Sequence, residues 1–190
     1  MANWLIAGLG NPGPQYEHTR HNVGFWWLDQ LAKDRNINFS VNNKYHGQLA
    51  QCQFSDNKLF LLKPLLFMNR SGQSVAAIAN FYKISPSNIV IIHDDLDLPA
   101  GTARLKKGGG HGGHNGLRDI ISQTGSKDFL RCRLGIGHPG NSKDVSDYVL
   151  SKPSQSDRQA IKNAIDDSLR VLPDVLSGNL EKAMNWLHSQ

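Results

Sequence analysis

The sequence holds no apolar run approaching the roughly 18 residues that a membrane-crossing helix needs. Its N-terminus, Met-Ala-Asn-Trp, has no basic region ahead of an apolar one, so no signal peptide is read there. A cytoplasmic protein is the expectation. Cysteine is scarce: Cys52 and Cys132 are the only two. They lie far apart inside strand-like runs and are not spaced as a redox or metal pair, so both are expected to be small buried apolar residues. There is no repeat, no low-complexity tract and no linker. Apolar residues make up only 39% of the 190, yet a chain of this length still buries a real core. One domain spanning residues 1–190 is expected.

Charge is unevenly placed. The net charge of +5 is carried by residues 101–140, where Arg104, Lys106, Lys107, Arg118, Lys127, Arg131 and Arg133 face only Asp119 and Asp128. The rest of the chain is balanced. A local basic excess is the pattern of a face that meets a polyanion, although a merely solvated basic face has the same composition.

Strand and helix signals alternate. Trp4–Ala7 reads as a buried first strand. The stretch Gly8-Leu9-Gly10-Asn11-Pro12-Gly13 forces a turn and leads through Arg20, His21 and Asn22 into a helical pattern from Val23 to near Asn36. Gly47–Phe54 and Lys58–Lys63 read as strands joined through Ser55-Asp56-Asn57. Ser71 is placed as the cap of a helix carrying Val75, Ile78 and Tyr82. Ile89–Ile92 is the most apolar run and suits a central strand buried on both faces. It delivers His93-Asp94-Asp95-Leu96-Asp97. Thr102–Lys107 is a further strand, Leu117–Thr124 a helix and Phe129–Gly137 a strand, with helices from Asp144 onward and a break at Pro173. The fold class is therefore α/β: a twisted, mixed, mostly parallel sheet flanked by helices.

Four polar clusters follow or flank these strands: Asn11 to Asn22, Met68-Asn69, His93 to Asp97, and His111, His114 and Asn115 in the glycine-rich loop. Loops leaving one edge of a shared sheet converge there. The residue types offer a His–Asp base pair and several carboxamides but no evident serine or cysteine nucleophile. That set suits a hydrolase that activates water while amide side chains hold a carbonyl substrate. Other readings stand beside it. Gly8-x-Gly10-x-x-Gly13 is a loose dinucleotide fingerprint, spoiled by Pro12 and Pro14. The histidines and aspartates raise a metal-dependent hydrolase, although His111-x-x-His114 on a glycine loop lacks the helical spacing of a ligand pair. An RNA-binding module without turnover would use the basic segment alone.

Five blocks resemble the bacterial-type peptidyl-tRNA hydrolases, in order along the chain. They are Gly8-Leu9-Gly10-Asn11-Pro12-Gly13 through Tyr16 to Thr19-Arg20-His21-Asn22-x-Gly24; Lys63-Pro64 with Met68-Asn69-x-Ser71-Gly72; His93-Asp94-Asp95-Leu96-Asp97-Leu98-Pro99; Gly108 to Leu117; and Arg133-Leu134-Gly135-Ile136-Gly137-His138-Pro139. Leu66 stands where the family usually has threonine, which bears on the packing beneath the Asn69 loop.

The resemblance implies a single-domain, phosphorylase/hydrolase-like fold and a cytoplasmic, metal-free, monomeric esterase with no cofactor. Its reaction would be cleavage of the ester between a peptide and the 3′ ribose of tRNA, recycling peptidyl-tRNA released early from ribosomes. By matching position, His21 is the catalytic base and Asp94 its partner. Asn11, Tyr16, Phe67, Asn69 and Asn115 bind the substrate's peptidyl and ribose end, and Lys106 and Arg133 hold the tRNA 5′-phosphate. The resemblance leaves open which asparagine faces the developing oxyanion and which the peptide amide.

Overall fold

The first apolar run becomes β1 (Asn3–Gly8) in a computed structural model that describes residues 2–190. Trp4 and Ile6 face one side of the sheet and Leu5 and Ala7 the other, and all four are buried. Such a strand belongs inside a sheet. β1 pairs in parallel with β4 (Asn57–Pro64) on one side and β5 (Ile89–Asp95) on the other. The Ser55-Asp56 turn folds β3 (Gly47–Phe54) back onto β4, and β2 (Ser40–Asn42) extends that side. Beyond β5 lie β7 (Leu130–Gly135), parallel to it, and β6 (Ala103–Lys107), antiparallel to β7. The order is β2-β3-β4-β1-β5-β7-β6. Only β3 and β6 oppose the common direction, so the sheet is mixed and mostly parallel.

Helices cover both faces. On the Trp4 and Ile6 side lie α1 (Val23–Arg35), α5 (Gln155–Arg170), α6 (Leu172–Leu176) and α7 (Leu180–Leu187). On the Leu5 and Ala7 side lie α2 (Ser71–Phe81) and α3 (Asn115–Thr124). The short α4 (Val145–Val149) follows the loop after β7. Pro173 falls in the first turn of α6, where its missing N–H costs nothing. No helix among the described residues is long and apolar enough to cross a membrane.

Three local expectations are corrected. Ser71 does not cap α2: it is the first helical residue, and its hydroxyl donates to the Met68 carbonyl at 2.8 Å instead of accepting from the helix. Cys132 is buried, but Cys52 is only half-buried, because it lies on the outer part of the β3–β4 hairpin. The helix expected from Leu117 begins two residues earlier, at Asn115, because the His114 imidazole accepts the Gly116 and Leu117 N–H groups and caps it.

One glycine sets the geometry that follows. A Cβ at Gly24 would lie 2.4 Å from Leu9 N and 2.6 Å from Ile92 O, so only glycine lets α1 settle so closely on β1 and β5. That approach brings the single turn of 3₁₀ helix at Arg20–Asn22 against the end of β5.

Candidate active site

Because β1, β4 and β5 are parallel, the loops leaving their C-terminal ends emerge at one edge of the sheet. Those loops carry Asn11 to Asn22, Phe67 to Asn69, and Asp94 to Asp97. The fourth cluster takes another route. β6 is antiparallel, and Lys107 pairs with Leu130 at the start of β7, whereas Asp94 pairs with Leu134 near its end. The glycine-rich loop therefore crosses back over about 13 Å of sheet, at ~3.3 Å per residue, before His114 reaches Asp94. A cavity of ≈ 1050 Å³ forms where the four meet. His21, Asp94, Asn11, Asn69 and Asn115 line it, and so do Tyr16, Phe67, Lys106 and Arg133. All nine residues singled out from the sequence share this one cavity. A second cavity of ≈ 690 Å³, beyond the Asn11–Pro14 loop, contains neither His21 nor Asp94.

At its floor lies a chain of three side chains. His21 Nδ1 is 2.8 Å from Asp94 Oδ2, and His114 Nε2 is 2.8 Å from Asp94 Oδ1. His114 Nδ1 accepts from Gly116 N at 3.1 Å and Leu117 N at 3.3 Å, so its proton is on Nε2 and is donated to Asp94. Asp94, whose side chain is 2% exposed, accepts from both imidazoles. Burial opposes its charge, but the two imidazoles and their hydrogen bonds hold its pKa far below the usual carboxylate range. An ionised Asp94 in turn fixes the proton of His21 on Nδ1 and leaves the Nε2 lone pair free. Burial would depress the His21 pKa, yet the Asp94 charge and hydrogen bond outweigh it, and the net shift is upward. His93 lies edge-on to His114 at 5.2 Å and donates from Nδ1 to the Asp94 carbonyl at 2.8 Å. Burial, with His114 adding to it, pushes the His93 pKa down to about 4, so this ring stays neutral at pH 7.

The asparagines differ in what they present. Asn11 is 7% exposed. Its backbone is gripped by Asn22, which accepts from Asn11 N at 2.9 Å and donates to Asn11 O at 3.0 Å. Its own Oδ1 accepts from Met68 N at 2.7 Å, so what remains free is a donor, the Nδ2 amide. Asn69, on the single 3₁₀ turn Met68–Arg70, and Asn115, opening α3, are exposed and keep donor and acceptor available. Tyr16 and the exposed Phe67 meet edge to face at 6.1 Å at the rim.

Lys106 lies within β6. It pairs with Arg131, while Arg104 pairs with Arg133, so all four basic residues share one face and Lys106 and Arg133 are diagonal neighbours. Arg133 directs Nε to Asp95 Oδ2 at 2.8 Å, which leaves its terminal N–H groups for a ligand.

His21, Asp94 and His114 also have the composition of a metal site, with ligand atoms within 4.8 Å of one another. The donor set does not fit one. His114 Nδ1 accepts from two backbone N–H groups and its Nε2 carries a proton donated to Asp94, so neither ring nitrogen is free to ligate an ion.

The family model for peptidyl-tRNA hydrolase matches residues 5–190. The chain belongs to the peptidyl-tRNA hydrolase family. Membership makes it an enzyme that cleaves an ester bond. It is 58% identical over 185 residues to the peptidyl-tRNA hydrolase of Coxiella burnetii, covering 97% of each chain. With that of Neisseria gonorrhoeae it shares 51% over 186 residues, covering 98% of this chain and 97% of the relative. The crystal structure of peptidyl-tRNA hydrolase from Acinetobacter baumannii superposes with a TM-score of 0.94 at 45% identity, covering 97% of this chain and 94% of that one.

Several residues of the hydrolase site were not assigned roles from sequence. His114 stood in a polar cluster, but nothing in its spacing announced a bond to Asp94. Asn22 stands with Arg20 and His21 as a residue able to hydrogen-bond, but nothing in the spacing names the Asn11 backbone as its partner. Leu66, the departure from the family pattern, is half-buried, and the adjoining loop is instead held by Asn11 Oδ1 on Met68 N and by Ser71 on the Met68 carbonyl.

Proposed function

We infer that His21 is the general base of this hydrolase and that its substrate is peptidyl-tRNA, engaged at the acceptor end. The observation that carries this reading is the Asp94 carboxylate hydrogen-bonded to His21 Nδ1 beneath the cavity, which aims the Nε2 lone pair outward. A water placed there loses its proton to Nε2 as its oxygen attacks the ester carbonyl, and Nε2 returns that proton to the ribose 3′ oxygen as the ester C–O bond breaks, a role worth ~10²–10⁴-fold. The Asn11 Nδ2 amide is a donor that the Met68 bond prevents from flipping, so it suits the developing oxyanion, a contact worth ~10²-fold or more. Asn69 and Asn115 are each free to donate and accept, as reading a peptide amide and a ribose hydroxyl requires. Tyr16 and Phe67 form an apolar rim for the peptide. Lys106 and Arg133 take the 5′-phosphate, a contact that positions any tRNA without reading its sequence.

The enzyme works on this reading as a metal-free, single-domain monomer in the cytoplasm, recycling tRNA from peptidyl-tRNA released prematurely. Release of N-acetylamino acid from tRNA, measured with and without EDTA, tests the metal-free mechanism. Full activity in EDTA is expected, and loss of activity restored by a divalent cation would overturn it.

A further inference from the structure

We propose that Arg131 is a positioning residue that fastens the glycine-rich loop 108–114 across the sheet, and so joins the phosphate-contacting face to the His21–Asp94–His114 chain. The inference rests on the catalytic reading above for the role of that chain. Arg131 is 2% exposed, and no carboxylate among the described residues lies within ion-pair distance of it. Fully buried charges are almost never left so. Its guanidinium instead donates to three backbone carbonyls: Gly110 from one terminal nitrogen, and Gly109 and Lys127 from the other. It lies over the Phe129 ring, 4.6 Å from the centroid, and its Nε has no partner.

The loop has no regular structure to hold its course. Gly108, Gly109, Gly112 and Gly113 all adopt positive φ, from 57° to 105°. It leaves the sheet at the edge away from the site, where Gly108 N donates to the Phe129 carbonyl at 3.1 Å. It regains a fixed partner at His114. Between these ends, the side chain that holds it to the sheet is Arg131, whose planar fork matches two successive carbonyls. Gly109 is also the junction with Lys106: a Cβ there would lie 2.8 Å from Lys106 Nζ. One backbone segment thus carries the Arg131 clamp, passes close against the Lys106 ammonium and leads within five residues to His114. An anion held by Lys106 and Arg133 would also supply the counter-charge that Arg131 lacks. Burial, with Arg133 adding to it, already lowers the Arg131 pKa.

The test is Arg131→Lys, which keeps the charge and removes the fork. Two substrates are compared: N-acetylaminoacyl-tRNA, and a short oligonucleotide that ends in the N-acetylaminoacylated 3′-adenosine and lacks the 5′-phosphate end. Misplacing His114 and Asp94 by a fraction of an ångström is expected to lower kcat about ten- to a hundred-fold on both substrates. The downfield Nδ1–H and Nε2–H proton signals of His21 and His114 should shift or broaden, with circular dichroism unchanged. A deficit confined to KM on the full tRNA, or unaltered imidazole proton signals, overturns the proposal. If Arg131→Lys does not fold, the same measurements on Arg131→Gln, which keeps two N–H donors, decide it by the same criteria. The phosphate reading fails separately, if the wild-type KM for tRNA does not respond to salt.

Discussion

Asp94→Asn is isosteric, yet it should disable the enzyme more thoroughly than its size suggests. The native carboxylate accepts one hydrogen bond from His21 Nδ1 and one from His114 Nε2, each at 2.8 Å. A carboxamide offers one acceptor and one donor. His114 cannot adapt, because its Nδ1 already accepts from Gly116 N and Leu117 N, and its Nε2–H claims the new carbonyl. The NH₂ then faces His21, which can meet it only with the lone pair of Nδ1. Its proton moves to Nε2, the atom that has to receive one from water. A base held in the wrong tautomer costs about 10³–10⁴-fold in kcat.

The same reasoning predicts partial rescue. In Asp94→Asn combined with His114→Ala, the carboxamide is free to turn its carbonyl to His21, and kcat should recover at least about tenfold over Asp94→Asn alone, a coupling of ordinary size for residues in contact. The assay is kcat for N-acetylaminoacyl-tRNA hydrolysis by wild type, both single variants and the double variant, with thermal melts to establish folding. An Asp94→Asn enzyme within tenfold of wild type refutes the reasoning.

The pH profile of kcat/KM should rise through a single ionisation with a midpoint above the ordinary imidazole value of about 6.5, because His21 must be neutral to act and its pKa is raised in the unliganded fold. Activity is lost as pH falls through that midpoint, and a midpoint below the ordinary value would count against His21 as the base. Lys106→Ala should raise KM for tRNA well beyond any fall in kcat, since a phosphate contact remote from the ester binds ground and transition states alike. For wild type, the log–log dependence of apparent binding on salt should have a slope of about −1.5 to −3 if two to four phosphates are neutralised. A slope near zero would remove the phosphate contact from the account.

The sheet was readable because its strands announce themselves. Ile89–Ile92 is apolar on both faces, as a central strand must be, and the Ser55-Asp56-Asn57 turn marks the hairpin. Three of the four polar clusters could be placed together from strand direction alone, because β1, β4 and β5 are parallel. The fourth also reaches that edge, as expected from the sequence, but by a route strand direction does not give, because β6 is antiparallel and its exit lies at the far edge of the sheet. What brings that loop back is a set of backbone carbonyls on Arg131, and no residue pattern encodes them. In the alternation of β7, Arg131 looks like a solvent-facing partner of Arg133, and only the packed structure shows its guanidinium buried. Proton positions were illegible for the same reason: the tautomer of His114 is set by two backbone N–H groups at the start of α3, a matter of cap geometry rather than of sequence spacing.

The most direct measurement is the rate at which His21→Ala releases N-acetylamino acid from tRNA, beside wild type at equal folded concentration. The account predicts a fall in kcat of ~10²–10⁴-fold, the worth of a general base, with KM little changed and the variant still folded, at a melting temperature lowered by the hydrogen bond that buried Asp94 loses. Turnover close to that of wild type would mean that water is activated elsewhere, and the mechanism built on His21 and Asp94 would be wrong.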